Sequence, residues 1–152
     1  MSKKKLASNL FFAGGIAELL VAVVHFLMPF TIAQAGEIAN LPPAYQDYVF
    51  HATIAVGFCM TAFGLLSIHF SRELLAGKRF AWVFCLSQGI LWTARVVSEL
   101  MLPVRVPMFF LANPTVVILP LVVAIALLFL VPSLILWKDL LRNVQLYTGD
   151  QS

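Results

Sequence analysis

The chain has 152 residues, of which 61% are hydrophobic and 11% charged, less than half the roughly 25% charge of soluble domains. This composition excludes an ordinary soluble domain and predicts an all-α integral membrane protein. The net charge of +3 does not indicate nucleic-acid binding, because the basic residues form short clusters between apolar runs, the pattern that anchors cytoplasmic loops. Cys59 and Cys85 lie inside apolar runs and are interpreted as small buried residues rather than as a disulfide or zinc site.

The first predicted span covers about residues 10–30 and follows three lysines at positions 3–5. About 20 apolar residues are needed to cross the hydrocarbon core, so this run is long enough. We interpret it as a span rather than a cleaved signal peptide, since it is long and carries Glu18 and His25. Pro29 is expected to end this helix or to kink its last turn.

Three further spans are predicted at about residues 48–70, 80–102 and 115–137, with an outer loop over 31–47 and a tail over 138–152. The third is closed by Pro103 and Pro107, and the fourth is interrupted by Pro120 and Pro132. Because the fourth span has no ionisable residue in its core, we expect it to close the bundle or to face lipid. Short connections between four spans predict a single domain over residues 1–152, an antiparallel up-down bundle.

The lysines and arginines predict the orientation. If both termini are cytoplasmic, the outer loops contain only Arg105. The inner segments then hold the other eight basic loop residues, Lys3, Lys4, Lys5, Arg72, Lys78, Arg79, Lys138 and Arg142. We therefore predict both termini in the cytoplasm, with the protein in a plasma membrane or bacterial inner membrane.

Four ionisable residues from the first three spans fall at similar predicted depths below the outer boundary. With a rise of about 1.5 Å per residue, His25 lies about 7 Å deep, His51 and Glu99 about 5 Å and Arg95 about 10 Å. Spacing also places them on common helix faces, because Glu18 and His25 are seven residues apart. In the third span, steps of four, three and four separate Gln88, Trp92, Arg95 and Glu99. Gly14 and Gly15, near the Glu18 face, are expected to let a neighbouring helix approach closely.

The predicted binding residues are Glu18, His25, His51, Trp92, Arg95 and Glu99. Plainer interpretations exist for each. Arg95 and Glu99, at i and i+4, can neutralise one another, while His25 can be a core residue and His51 an interfacial one. Glu18, near mid-membrane, must be protonated, paired with Arg95 or hydrated.

The polar layer favours a protein that binds an amphipathic small molecule, a lipid or a quinone, between the first three spans. The head group would meet these polar residues, and the tail would lie between helices lined by aromatic side chains. The first alternative is an accessory or structural subunit of a larger membrane complex, or a homo-oligomer, in which the charges lock the bundle together.

Two further alternatives use the same residues for chemistry. His25 and His51 are candidate ligands of a haem iron or, with Glu99, of a divalent metal, although Arg95 would repel a cation. An intramembrane isomerase would use a buried carboxylate and a histidine to move protons within a lipid-soluble substrate. No nucleophile motif or paired metal signature assigns a catalytic residue, and no metal site is predicted.

Overall fold

Helices make up every regular element that the structure describes. The structure is a computed structural model that covers residues 2–32, 36–104 and 113–149, without the side chains at 32, 36, 37 and 138–149. Its helices are α1 (Lys3–Ile32), α2 (Gly36–Ala39), α3 (Pro43–Leu75), α4 (Arg79–Met101) and α5 (Thr115–Gly149). Within these residues, the four long helices are each long and apolar enough to span a membrane, which agrees with the prediction of a membrane protein.

The long helices cover the four predicted spans to within one residue and extend past most of their ends. α1 begins seven residues before residue 10, and α3 begins at Pro43, so the predicted outer loop over 31–47 is partly helical. The predicted tail over 138–152 is also helical as far as Gly149. Hydropathy marks only the part of a helix that lipid can cover, whereas backbone hydrogen bonds let the helix continue into water.

Three prolines lie inside helices instead of ending them. α1 continues three residues beyond Pro29, and α5 runs unbroken through Pro120 and Pro132. Of the two outcomes expected at Pro29, an end of the helix is not found, because α1 continues to Ile32. A proline removes one N–H donor and crowds the preceding turn, but in a packed membrane helix neighbouring groups compensate for the lost bond.

The turn between α3 and α4 has a defined helix-ending geometry. Gly77 has a φ of 78°, a conformation that glycine adopts without steric cost. Its N–H donates to the Leu74 carbonyl at 3.0 Å, and the Lys78 N–H donates to the Glu73 carbonyl at 3.0 Å. These two bonds form a Schellman motif, which ends α3 and lets α4 begin two residues later.

α1 is packed against both α3 and α5, and α4 packs along α5, while α3 and α4 touch over a smaller area. Phe129 of α5 is at the centre of the core, fully buried, with its ring 5.7 Å from that of Phe11. Trp82 of α4 donates from Nε1 to the Ser133 carbonyl of α5 at 2.8 Å. The fourth predicted span therefore closes the bundle, one of the two positions expected for it.

Some of the basic residues that predict the orientation lie outside the described residues. Arg105 and Pro107 belong to the segment 105–112, and nothing is described of the side chains of Lys138 and Arg142. The charge asymmetry that predicts cytoplasmic termini therefore remains a sequence-based prediction.

Candidate functional site

A carboxyl group in the middle of α1 joins three helices. Glu18 is fully buried, with 0% of its surface exposed. Its Oε1 accepts a 2.9 Å hydrogen bond from Trp92 Nε1 of α4, and its Oε2 accepts one of 3.1 Å from Ser67 Oγ of α3. Of the three possibilities for Glu18 considered from the sequence, pairing with Arg95 is not the arrangement found, because neutral donors occupy both oxygens.

Close contact between α1 and α3 brings Ser67 to Glu18. A Cβ atom at Gly15 would lie 2.9 Å from the Gly64 carbonyl oxygen, and one at Gly64 would lie 2.9 Å from the Gly15 carbonyl oxygen. Real Cβ atoms do not approach backbone oxygens this closely, so both positions need glycine. Gly15 lies three residues before Glu18, and Gly64 lies three residues before Ser67. The predicted role of Gly15 in close helix packing is confirmed.

Arg95 and Glu99 form a salt bridge within α4, with Arg95 Nη2 2.7 Å from Glu99 Oε2. The Glu99 side chain is fully buried, whereas 39% of the Arg95 side chain is exposed. Glu99 Oε1 also accepts bonds from the Val104 N–H at 3.1 Å and from Thr115 Oγ1 at 2.9 Å. The pair that i, i+4 spacing predicts is present, and its carboxylate also fastens the end of α4 to the start of α5.

His25 and His51 are each bonded to their own helix. His25 Nδ1 lies 2.8 Å from the Val21 carbonyl oxygen, and His51 Nδ1 lies 2.7 Å from that of Asp47. A carbonyl oxygen only accepts, so each Nδ1 donates its hydrogen to the backbone. His25 is half-buried and His51 is exposed.

The structure does not join the predicted binding residues into one hydrogen-bonded group. Glu18 is bonded to Trp92, and Arg95 is bonded to Glu99. Among the described residues, no hydrogen bond links either histidine to these two pairs, and no group of three His, Cys, Asp or Glu side chains is arranged to hold a metal ion. The site thus consists of a buried carboxyl cluster, a separate ion pair and two histidines bonded to helix backbone.

Gln88 is a further buried polar residue on α4. It is 4% exposed, and its Oε1 has no hydrogen-bond partner among the described residues. Phe84, one turn earlier, packs against Phe70 of α3 with ring centroids 5.2 Å apart. Gln88 follows Phe84 by four residues and Arg95 follows Gln88 by seven, so both lie on the same side of α4 as Phe84.

Four polar groups at this site are absent from the predicted binding residues. They are Ser67, Gln88, the Val104 N–H and Thr115. Gln88 has a sequence signal, because it shares the spacing of Trp92, Arg95 and Glu99. Ser67 and Thr115 have none, since single hydroxyl residues are common in membrane helices and usually bond to their own backbone.

The chain shows no resemblance that assigns a function to this arrangement. No family model, no characterised protein and no solved structure matches it. A function is therefore inferred from the charges, hydrogen bonds and exposure of the residues themselves.

Proposed function

We propose that this protein binds an amphipathic small molecule, lipid-like or quinone-like, in a crevice between α1, α3 and α4. The observation that carries the proposal is the exposure of Arg95 on a helix that is apolar enough to span a membrane. Arg95 lies six residues before α4 ends at Met101, about 9 Å along the axis. A guanidinium group open at this depth needs polar partners, because hydrocarbon offers none.

The Arg95–Glu99 pair leaves donors free for a head group. A guanidinium has five N–H donors, and the ion pair joins Nη2 to a single carboxylate oxygen. Since Glu99 balances the charge, the bound head group need not be an anion. A quinone carbonyl, a lipid ester or a phosphate oxygen all supply the acceptor that the exposed N–H groups need.

Gln88 supplies a second polar contact deeper on the same side of α4. It lies seven residues before Arg95, about 10 Å along the helix. An unpaired buried acceptor costs about 1–3 kcal/mol, which a ligand hydroxyl or N–H would recover. α3 and α4 touch each other over only a small area. A ligand with an acceptor at one end and a donor further in fits this pair of residues.

The proposal includes an antiparallel up-down bundle with both termini in the cytoplasm, in a plasma membrane or bacterial inner membrane. Contacts between α1 and α3 support it, because Ser8 bonds to Ser71 and Gly57 meets Phe26. Residue numbers rise along α1 while the numbers of their contact partners on α3 fall, as expected for two antiparallel helices. α4 and α5 show the same reversal between the bonds of Trp82 and of Glu99. With this topology, Arg95 lies in the outer leaflet.

Analysis of the molecules that purify with the protein tests the proposal. The full chain, purified in a mild detergent, is extracted with organic solvent, and lipids and quinones are identified by mass spectrometry. We expect one amphipathic species at near-stoichiometric amount in the wild type and at least tenfold less in Arg95→Ala. Arg72→Gln is the charge-matched control, because Arg72 is exposed at the other end of the bundle.

Loss of the partner charge complicates Arg95→Ala, because Glu99 would remain buried without it. The double variant Arg95→Met with Glu99→Gln removes both charges together and should lose the bound molecule as well. If both Arg95 variants retained as much of the bound molecule as the wild type, the proposal would be contradicted. A stoichiometric membrane partner would instead assign the accessory role, and a Soret band in the absorption spectrum would assign haem.

A further inference from the structure

An apolar groove lies on α4, at the end next to the α3–α4 turn. Its volume is about 630 Å³, and it is lined by Arg79, Phe80, Val83, Phe84 and Ser87. Phe70 of α3 packs edge-on against two of these side chains, with its ring centroid 5.3 Å from that of Phe80 and 5.2 Å from that of Phe84. This groove is distinct from the crevice proposed at Arg95, because Arg95 lies sixteen residues after Arg79 along α4.

Polarity in the groove is unequally distributed. Arg79, the first residue of α4, provides the charge at one end. The middle is apolar, with Phe80 52% and Val83 46% exposed. Ser87, eight residues or about 12 Å further on, donates its hydroxyl hydrogen to the Val83 carbonyl of its own helix at 2.9 Å. The groove thus has a cationic end and an apolar length. The cationic end is complementary to an anionic lipid head group, and the apolar length matches an acyl chain.

Arg79 has no carboxylate partner among the side chains that the structure describes. The only salt bridge among those residues is that of Arg95 with Glu99. No side chain caps the N-terminus of α4, where N–H groups without helical partners favour an anion. The surroundings are also positive, since Lys4 Nζ lies 3.5 Å from the position of a Cβ on Gly77, and Lys78 precedes Arg79.

From this arrangement we infer that the groove is a binding site for one anionic phospholipid, with its phosphate on Arg79 and an acyl chain along Phe80, Val83 and Phe84. The planar guanidinium binds phosphate with two parallel hydrogen bonds, which a lone ammonium cannot reproduce. A free phosphate ion would use only Arg79, whereas the lipid also covers apolar side chains that otherwise form an empty groove. Charge complementarity selects an anionic over a zwitterionic lipid.

Native mass spectrometry of the full-length protein tests this inference. The protein is delipidated in detergent and given equal amounts of phosphatidylglycerol and phosphatidylcholine with the same acyl chains. We expect phosphatidylglycerol to be retained about tenfold more, the factor that corresponds to about 1.4 kcal/mol. Arg79→Gln should abolish this preference, whereas Arg72→Gln, which removes a charge outside the groove, should change it by less than about twofold.

A second variant keeps the inference testable if Arg79→Gln does not fold. Val83→Trp fills the groove from an exposed position, leaves every charge in place and should reduce retention of phosphatidylglycerol several-fold. Equal effects of Arg72→Gln and Arg79→Gln would overturn the inference in favour of general surface charge. Displacement of the lipid by millimolar inorganic phosphate, or equal retention of the two lipids, would overturn it as well.

Discussion

At the scale of single residues, the polar groups of this protein are placed by their hydrogen-bond partners more than by their charges. Glu18 is held by an indole N–H and a hydroxyl, not by a cation. Spacing within α4 predicts the Arg95–Glu99 pair, because i and i+4 are neighbours on any helix. Spacing does not predict that Glu18 meets Trp92, since this contact depends on the relative rotation of two helices. The histidines illustrate the same limit: similar depth did not bring His25 and His51 into one hydrogen-bonded group.

The bond between Trp92 and Glu18 should be measurable by a double-mutant cycle. Trp92→Phe removes the Nε1–H donor, and Glu18→Met removes both acceptor oxygens while keeping the length of the side chain. Interhelical hydrogen bonds in membrane proteins give coupling energies of about 0.6 kcal/mol on average and about 1.7 kcal/mol at most. We expect coupling within this range, measured by unfolding in mixed micelles. Trp137→Phe, at an exposed position of α5, serves as the control, and additive effects of the two changes would contradict the bond.

Removal of Glu99 should cost more than removal of Arg95. Glu99→Ala deprives Arg95, the Val104 N–H and Thr115 Oγ1 of one shared acceptor group. Arg95→Ala leaves the buried Glu99 carboxylate without its cation but keeps its hydrogen bonds from the Val104 N–H and Thr115 Oγ1. The expected difference in the free energy of unfolding is about 1.5–3 kcal/mol, the contribution of one hydrogen bond to a charged group. The same unfolding assay measures it, and a larger loss for Arg95→Ala would show that the ion pair dominates.

At the scale of helices, hydropathy predicts where each span lies but not where its helix ends. α5 illustrates this, because its apolar part ends near Trp137 while the helix continues to Gly149. Proline misleads for a related reason: a turn that lacks one hydrogen bond still packs. The glycines are more informative, since Gly15 correctly predicts a close helix contact. Its counterpart Gly64, which completes this contact with α3, carries no such signal without the fold.

Substitution at the glycine contact should depend on what the new methyl group meets. Gly64→Ala places a Cβ 2.9 Å from a backbone oxygen of α1, so the helices must separate. Gly89→Ala places one 2.7 Å from Leu130 Cδ2, the end of a side chain that can rotate away. We expect Gly64→Ala to destabilise by about 1–3 kcal/mol, as overpacking does, and Gly89→Ala by less. Thermal unfolding in detergent compares them, and equal losses would contradict the backbone contact.

At the scale of the whole molecule, the charge distribution and the proposed site depend on one another. Eight basic residues flank the spans on one predicted side, and the depth of Arg95 in the outer leaflet follows from that orientation. Composition and loop charge are enough to predict this arrangement from the sequence. The ligand is not predictable in this way, because several head groups present the same acceptors to a guanidinium.

Reporter fusions measure the topology directly. A reporter that is active only in the cytoplasm should be active when fused after Ser152, and inactive when inserted after Asn40 between α2 and α3. The opposite activities would reverse the molecule and place Arg95 in the inner leaflet. Equal activity at both positions would contradict the up-down arrangement.

The three-helix contact of Glu18 has a consequence for biogenesis. The ribosome makes α1 first, yet the two donors that satisfy its carboxyl group belong to α3 and α4. In a nascent chain, the Ser67 hydroxyl therefore follows Glu18 by 49 residues and the Trp92 indole by 74. Chains that stop before Trp92 lack one of the two donors and are expected to be substrates for membrane quality-control proteases.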